Sequence, residues 1–538
     1  AIRLPPPPPM AAAGETRSSR GEEGPGRREP LQHQLQHHEL QRARRHTLRQ
    51  LLLQHPRGGA RRQRLRRLAA AAAVAASLAL LSRGRASAPP RAWSFAGVDG
   101  ADPESLFNAL FLLLAATAAG LKLSSRCGGG GGAADAEGAQ AMPPKMSSLR
   151  WRFLGVFWMF KMADWLQGPY FYDVYASKRV GGETVSADFI ARLFLTGFLT
   201  SGLLSAQTGR FVDSYGRKAG SLAFAAFYAL SAMSTYSSSV PLLFLGRVAG
   251  GVGTALLFSA PEAWFVGEHQ REGHDGRWLG ETFGLAYLGD SIVAIGAGQI
   301  ASAAASRAGP AAPFGTSLAF LALGAALAAG TWGENAAPKG DGGASASVGD
   351  AWRKMLADPR ILSVGAVQAL FEGAMYIFVM QWPPALISAL AGRGVPFGKV
   401  FSCLMASCMI GSSVFGPLTR ARPVEQVTAA MLGLAASAIG LAAATAGTEG
   451  SLAPVLLSFF VFEACVGFYF PAIGTLRSKY LPDSHRGLMM ASFRVPLNII
   501  VVSVMLSMNA LGLRGSLGCS AAALLTAFLA QLRLCGGQ

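Results

Sequence analysis

Two arginines inside long apolar runs are the residues of this chain best suited to bind a charged solute. Arg247 lies in the run LFLGRVAGGVGTALLFSA, and Arg494 lies in the run that follows Arg486. A guanidinium group keeps its charge when buried and offers paired, planar donors to an oxyanion. A charge in hydrocarbon costs about 2.5 kcal/mol or more unless it faces a cavity or a partner. We expect both arginines to face one central cavity from opposite sides; for Arg247, a carboxylate partner that only locks two helices is the alternative.

Carboxylates inside apolar runs form a second exceptional set. They can neutralise the buried arginines, or they can take up protons, because a carboxylate in a poorly hydrated cavity ionises less readily. For each carboxylate alone, a structural pair and a coupling role are equally good interpretations. Lys161 precedes Asp164 by three residues, which suits a local helix pair. The intramembrane acids are Asp164, Glu262, Glu281, Asp290, Glu372 and Glu463.

Two tyrosines near the ends of apolar runs, Tyr170 and Tyr469, are candidate substrate ligands that would line the cavity. Aromatic side chains at such positions more often form an interfacial belt, which is the alternative here. Motifs for catalysis are not found: the sequence has no GxSxG, no HExxH and no phosphate-binding glycine loop before a helix. The six cysteines form no CxxC pair. We expect no enzyme, no cofactor and no metal site.

The elements that must position these side chains are membrane-spanning helices. Apolar residues make up 51% of the chain and charged residues only 14%. Apolar runs of about 18 to 22 residues recur, and each is long enough to cross about 30 Å of hydrocarbon as a helix. The expected fold class is an all-α polytopic membrane protein that spans the lipid bilayer many times. The predicted spans are one at 106–123, six between 153 and 332, and six between 361 and 532.

A polar, glycine-rich stretch between the two groups of six spans predicts a domain boundary. It shows no apolar period, so we expect a linker on the cytoplasmic side. The predicted domains are a basic tail at 1–103, an extra span with a glycine-rich loop at 104–149, a first six-helix bundle at 150–333, the linker at 334–359, and a second six-helix bundle at 360–538.

The net charge of +18 is mostly a property of the tail. Residues 1–92 hold 18 Arg and five Glu, with no Lys. This Arg-rich segment before an alanine-rich run resembles a transit peptide or signal, and a gene-model extension or disordered sequence is the alternative. Its histidines are interpreted as low complexity rather than a metal site, and no nucleic-acid partner is expected.

The stretch GRFVDSYGRK, residues 209–218, predicts a tight basic turn between two spans. If this turn is cytoplasmic, most of the loop Lys and Arg fall on its side, as the positive-inside rule requires. Two six-helix bundles with this turn after the second core span resemble the major facilitator superfamily. The resemblance implies a cytoplasmic gate that holds the two bundles together in one state and releases them in the other. The residues that match the superfamily signature are Gly209, Asp213, Gly216, Arg217 and Lys218.

Seven further stretches are similar to the molybdate-anion transporter family within that superfamily. They are ADWLQGPY (163–170), VDSYGRK (212–218), LLFSAPEAWF (256–265), TWGEN (331–335), VQALFEG (367–373), FEACVGFYFPAIGTLRSK (462–479) and FRVP (493–496). They extend over both bundles, so the resemblance covers the whole membrane domain but not the basic tail.

The resemblance implies uptake of molybdate, a tetrahedral dianion, by alternating access at the plasma membrane; because of the tail, an organelle envelope is the alternative. The carboxylates within the matching stretches, Asp164, Glu262, Glu372 and Glu463, are the preferred candidates for ion pairing or for coupling to protons. Two other interpretations stay open. One is a nutrient sensor or receptor on the same fold that transports nothing, and the other is a transporter of another small anion or solute.

Overall fold

The structure is a computed structural model of the 538-residue chain. It describes residues 102–128, 142–336, 348–390, 393–448, 450–482 and 486–535, all of which belong to one compact unit. The predictions on the basic tail before residue 102, on its histidines and on the glycine run after Gly128 lie outside these residues.

Nearly all described residues are helical. The first bundle comprises six long helices, two short ones and a hairpin of two-residue strands. In chain order these are α2 Pro144–Gln167, α3 Phe171–Ala176, β1 Arg179–Val180, β2 Glu183–Thr184, α4 Ala187–Tyr215, α5 Arg217–Ser234, α6 Val240–Leu257, α7 Ala260–Arg271, α8 Gly276–Ala308 and α9 Ala312–Thr331. The strands pair antiparallel, with Arg179 opposite Thr184 and Val180 opposite Glu183.

The second bundle also has six long helices. They are α11 Pro359–Ala389, α12 Phe397–Ala421, α13 Val424–Thr445, α14 Leu452–Tyr480, α15 Arg486–Leu506 and α16 Met508–Cys535. A helix precedes each bundle: α1 Pro103–Gly128 before the first and the short α10 Val348–Ala357 before the second. The predicted arrangement of one, six and six is therefore present as long helices in the described residues.

Local sequence signals start several of these helices. Ser186 caps α4 by accepting a hydrogen bond from the Phe189 N–H at 3.2 Å, and Asp275 caps α8 by accepting from Arg277 N–H at 2.9 Å. Such side-chain oxygens satisfy backbone donors that have no partner within the helix. In the described residues, ten helices are long and apolar enough to cross a membrane. Of the other long helices, α2 and α5 fall outside that set, and α15 has only a short apolar segment.

We call the side of the membrane on which Gly216 lies the inner side and the opposite side the outer side. The two bundles pack against each other in the outer half. A Cβ on Gly298 of α8 would fall 2.5 Å from the carbonyl oxygen of Gly398 of α12, so the two backbones touch. Ser402 of α12 donates to the Ile295 carbonyl at 2.8 Å. Only glycine allows backbones to approach this closely, so α8 and α12 close the outer side.

The extra helix α1 packs on α12, in the second bundle, although the chain continues from it into the first. Phe107 is fully buried, and its carbonyl oxygen lies 3.5 Å from the Cys403 thiol. At the outer end, Lys399 forms a salt bridge with Glu104 at 2.5 Å. The predicted extra span is thus attached to α12, the second long helix of the second bundle.

Two sequence interpretations need correction. Residues 209–215 were expected to belong to a turn, but α4 continues to Tyr215 and the turn is the single residue Gly216. Gly216 has φ +118°, which is strained for any other residue, and it allows the chain to reverse in one step. The linker was expected to lack an apolar period, but it contains α10, and Met355 of α10 is buried.

Candidate functional site

A polar cluster in the second bundle lies around Glu372, midway along α11. Tyr469 of α14 donates to Glu372 Oε1 at 3.0 Å, and Arg477 Nη2 lies 3.3 Å from the same oxygen. Arg477 Nε also donates to Gln368 Oε1 at 3.0 Å, one turn before Glu372. The side chains of Arg477 and Glu372 are 19% and 18% exposed, so this ion pair is accessible to a small solute.

Arg494 adds a second positive charge to this cluster. It acts electrostatically on Glu372, and within the described residues it forms no salt bridge of its own. Asn498, one turn further along α15, meets Gly202 of α4 in the first bundle. Because residues four apart share a helix face, Arg494 points toward the boundary between the bundles.

Glu372 is oriented in the same way as Arg494. Tyr376, one turn toward the outer side, packs on Phe198 of α4 with ring centroids 4.8 Å apart. The contacts of Tyr376 and Asn498 with α4 therefore lie on the outer side of Glu372 and Arg494. The Glu372 cluster therefore lies on the inner side of these contacts between the two bundles.

The first bundle holds a separate cluster of charges between α2, α5 and α8. Tyr228 donates to Asp164 Oδ1 at 2.5 Å, and Trp165 Nε1 donates to Asp290 Oδ1 at 2.7 Å. Lys161 forms its salt bridge with Asp290 at 3.4 Å. Lys161 also acts electrostatically on Asp164, as the predicted local pair requires, but its salt-bridge partner is supplied by the distant helix α8.

Arg247 lies in the outer half of α6, one helical turn of α5 away from the first cluster, where it acts electrostatically on Tyr228. Its Nη2 donates to Ser231 Oγ at 2.5 Å, and its guanidinium carbon lies 5.2 Å from the Phe171 ring and 5.6 Å from the Tyr175 ring. Its Nε has no hydrogen-bond partner among the described residues. No carboxylate pairs with Arg247 in the part of the chain that the structure describes, so the alternative of a helix-locking salt bridge is not what is observed.

A row of aromatic rings runs from Arg247 toward the second bundle. Phe171 packs on Phe194 with centroids 5.7 Å apart, Phe194 on Phe198 at 6.3 Å, and Phe198 on Tyr376 at 4.8 Å. By the helical rise, Arg247 lies about 10 Å from the outer end of its helix and Arg494 about 18 Å from the outer end of its own. The two arginines therefore lie at different depths, with the aromatic row between them.

The two candidate tyrosines occupy different places. Tyr469 is fully buried, stacks on Phe371 with centroids 4.0 Å apart, and reaches Glu372 with its hydroxyl. Tyr170 is 5% exposed and packs edge-on against Phe397 at 5.8 Å, beside the contact of α8 and α12. The structure brings Tyr469, but not Tyr170, into the Glu372 cluster.

The remaining preferred carboxylates also lie apart. Glu262, on the short helix α7, accepts a hydrogen bond from Tyr287 at 2.7 Å. Glu463 is 6% exposed in the middle of α14, and in the described part of the chain no salt bridge reaches it. Of the four preferred acids, only Glu372 therefore contacts an arginine.

The signature residues lie at the inner end of the first bundle. Arg217 pairs loosely with Asp213 at 3.6 Å, and the Asp213 side chain is 56% exposed. Gly209 lies within α4 and has open space around it. No hydrogen bond or salt bridge joins Asp213, Arg217 or Lys218 to the described residues of the second bundle.

A reciprocal cap holds the signature turn to the end of α9. The Glu334 carboxylate accepts from the backbone N–H groups of Lys218 and Ala219, both at 2.9 Å, at the start of α5. In return, Lys218 Nζ donates to the carbonyl oxygens of Ala329 and Trp332, both at 2.8 Å. An acid at a helix start and a base at a helix end both favour the helix dipole, so this contact stabilises the inner face of the bundle.

Among the residues of these networks that the sequence interpretation missed are Gln368, Arg477 and Glu334. All three lie within the matching stretches, in VQALFEG, FEACVGFYFPAIGTLRSK and TWGEN. Arg477 was overlooked because the predicted span ended at residue 473, whereas α14 extends to Tyr480. A longer helix would have placed Arg477 on the same face as Tyr469, eight residues earlier.

Comparisons with known proteins agree with this architecture. Residues 106–461 match a family described as sugar transporters with 12 TM. A molybdate-anion transporter of Takifugu rubripes is 31% identical over 403 residues, which cover 69% of this chain and 82% of that protein. One of Xenopus tropicalis is 33% identical over 367 residues, covering 66% and 78%.

Solved structures show the same fold. The nucleoside transporter NupG superposes with a TM-score of 0.55 at 13% identity, over 72% of this chain and 98% of that one. A D-xylose-proton symporter superposes with a TM-score of 0.54 at 13% identity, over 72% and 96%. At this identity the likeness concerns the fold alone.

Proposed function

We propose that this chain, which belongs to the molybdate-anion transporter family of the major facilitator superfamily, carries molybdate or a closely related tetrahedral oxyanion across its membrane. Its membership makes it a multi-pass membrane transporter. The relatives named for molybdate cover both bundles of this chain and support molybdate as the substrate. The plasma membrane is the proposed location.

The positive excess around Glu372 is the observation on which the proposal depends. Two guanidinium groups, Arg477 and Arg494, face one carboxylate at the boundary of the bundles. A tetrahedral dianion would supply the missing negative charge and would accept several hydrogen bonds at once. A neutral sugar, which the description of the matched family suggests, would leave this charge uncompensated. The site therefore favours an anion.

The bundle contacts support alternating access as the mechanism. α8 and α12 close the outer half, whereas the signature residues on the inner side have no partner among the described residues of the second bundle. Transport then requires the reverse arrangement, in which the inner ends meet and the outer ends separate. In this proposal, the inner gate is formed by Asp213, Arg217 and Lys218, and it includes Gly209 and the turn at Gly216.

Arg247 is proposed as the outer ligand of the anion. It lacks a carboxylate partner in the described residues, and Phe171 and Tyr175 flank it in the outer half of α6. Because the aromatic row separates it from Arg494, the two arginines would meet the substrate one after the other. Tyr469 would act beside Arg494, and Tyr170 would act at the outer closure.

Uptake of molybdate by a transport-deficient yeast expressing the chain tests the proposal. We expect accumulation with the wild type and a loss of about tenfold or more with Arg494→Ala and with Arg247→Ala, at equal amounts in the membrane. Arg192→Ala is the matched control, because Arg192 pairs with Asp188 at 2.8 Å on an exposed part of α4. Normal uptake by both arginine variants would contradict the assignment of the ligands.

Two further results would contradict the substrate or the transport function itself. Binding of molybdate without accumulation would identify a sensor rather than a transporter. Full competition by excess sulfate, with no preference for molybdate or tungstate, would make this a transporter of another small anion.

A further inference from the structure

The salt bridge between Glu372 and Arg477 is partly exposed and is longer than a typical charge-assisted hydrogen bond. One carboxylate oxygen, Oε1, receives both Tyr469 at 3.0 Å and Arg477 at 3.3 Å. Charge-assisted bonds from nitrogen to a carboxylate are typically about 2.7 to 2.9 Å long. Arg477 also donates a hydrogen bond from its Nε to Gln368 Oε1. The guanidinium would therefore stay in place if the carboxylate left.

A second carboxylate in the same bundle shows what a fixed pair looks like. Glu425, at the start of α13, receives Lys479 at 2.6 Å and Tyr480 at 2.8 Å, and its side chain is 1% exposed. Glu372 is 18% exposed and has longer contacts, although it also has one base and one tyrosine as partners. The two acids have the same kinds of partner, but they differ in solvent exposure and in the lengths of their contacts.

We propose that Glu372 is an exchangeable counter-ion that takes the place of the transported anion beside Arg477 and Arg494 when the carrier is empty. This inference rests on the proposed function. When Glu372 takes a proton from the water of the cavity, it becomes neutral and loses its attraction to the two guanidinium groups. The oxyanion then takes its position, and the proton is released where the anion leaves. One proton accompanies each anion.

The surroundings of Glu372 leave few other groups that could give the same pH dependence. Its own helix presents Gln368 and Tyr376, and α4 presents Phe198 across the bundle boundary. α16, which also packs on α11, meets it through Ser520 at the Ala374 carbonyl, and its arginines lie toward its two ends. The charged or titratable groups that face Glu372 are therefore Tyr376, Tyr469, Arg477 and Arg494.

Titration of the purified protein in lipid nanodiscs with molybdate, and separately with sulfate, between about pH 6 and 8 tests this inference. The wild type should bind more tightly as the pH falls, by up to about tenfold per pH unit for one linked proton. Glu372→Gln should bind at least as tightly as the wild type at its most acidic pH, with no dependence on pH. The matched control is Glu281→Gln, which removes a carboxylate paired with Arg150 at 3.2 Å at the inner end of the first bundle. It should behave as the wild type.

Proton uptake on anion binding is a second measurement that needs no variant. In a weakly buffered solution with a pH indicator, the wild type should take up protons when sulfate or molybdate is added. Glu372→Gln should take up none.

Several outcomes would overturn the inference. If Glu372→Gln binds more weakly at every pH, the carboxylate only positions Arg477. If it keeps the pH dependence of the wild type, another group takes the proton. In both cases oxyanion binding by the wild type preserves the proposed function. If the wild type binds neither anion, both proposals fail.

Discussion

The two bundles hold their intramembrane charges in different ways, and the first bundle holds them tightly. Its cluster has two carboxylates and one lysine, so acids are in excess. Asp164 accepts a hydrogen bond at 2.5 Å and Asp290 one at 2.7 Å, and Lys161 lies between aromatic rings at 8% exposure. Each charged group there has a close partner supplied by another helix.

The cluster of the second bundle has the opposite charge balance, longer hydrogen bonds and more exposed side chains. Arg477 and Arg494 face the single acid Glu372, whose hydrogen bond from Tyr469 is 3.0 Å long. The salt bridges of the two clusters are similar in length, 3.3 Å for Arg477 with Glu372 and 3.4 Å for Lys161 with Asp290, but the side chains are 19% and 18% exposed in the former pair and 8% and 14% in the latter. A network with every group satisfied makes the packing specific, whereas an incompletely paired one can accept a ligand. We therefore propose that the first cluster contributes to stability and that the second binds the substrate.

The largest expected effect is on stability, from removing one partner in the tight cluster. Asp290→Ala should leave Lys161 without its salt bridge in a buried position. Breaking a buried pair in this way typically costs about 3 to 5 kcal/mol. We expect the variant to lose most of its folded yield, measured by size-exclusion chromatography in detergent and by the thermal unfolding midpoint.

The double variant Asp290→Ala with Lys161→Met is the control for this effect. It removes both charges, so stability should recover in large part. If Asp290→Ala unfolds at the same temperature as the wild type, the first cluster is not structural and the comparison between the bundles fails.

Removal of Arg477 should instead affect binding more than folding. Arg477→Ala deletes the arginine that donates to Glu372, while the charge of Arg494 still compensates the carboxylate. A hydrogen bond to a charged group contributes about 1.5 to 3 kcal/mol, so we expect anion affinity to fall about tenfold to a hundredfold. The measurement is molybdate binding by calorimetry, together with the unfolding midpoint.

Arg477→Lys tests whether the predicted loss of anion affinity comes from the charge of Arg477 or from its planar shape. Lysine keeps the charge but lacks the planar fork that reaches Gln368 and Glu372 together, so affinity should be intermediate. A variant that unfolds as readily as Asp290→Ala would show that both clusters are structural.

The fold followed from the sequence more completely than the networks did. Long apolar runs predicted the thirteen long helices, because a membrane allows few other structures for such runs. The arginines and acids within those runs were found by their cost in hydrocarbon. Their partners were not, because Tyr228 lies 64 residues from Asp164, and Asp290 lies 125 residues from Trp165. Only the packing of helices decides such pairs, as the salt bridge of Lys161 with Asp290 shows.

A smaller effect on stability is expected at the inner end of the first bundle, where the contrast between stability and anion binding can be tested again. Glu334→Gln keeps the size of the side chain but removes the charge that caps α5. Loss of a cap and of its favourable interaction with the helix dipole costs about 1 kcal/mol. We expect a lower unfolding midpoint with unchanged molybdate affinity, since Glu334 lies in the first bundle and away from Glu372. A fall in affinity would connect the inner gate to the binding site.

The smallest effect concerns the attachment of α1 to the second bundle. The Glu104 side chain is 57% exposed, so its salt bridge with Lys399 is partly screened by water. Glu104→Gln should therefore lower the stability by less than about 1 kcal/mol. Phe107→Ala should cost about 3 kcal/mol or more, because Phe107 is fully buried against α12. Thermal unfolding of both variants measures the difference. We expect Phe107→Ala to have the larger effect, which would show that apolar packing attaches α1 to the second bundle. A larger effect of Glu104→Gln would show instead that polar contacts attach it.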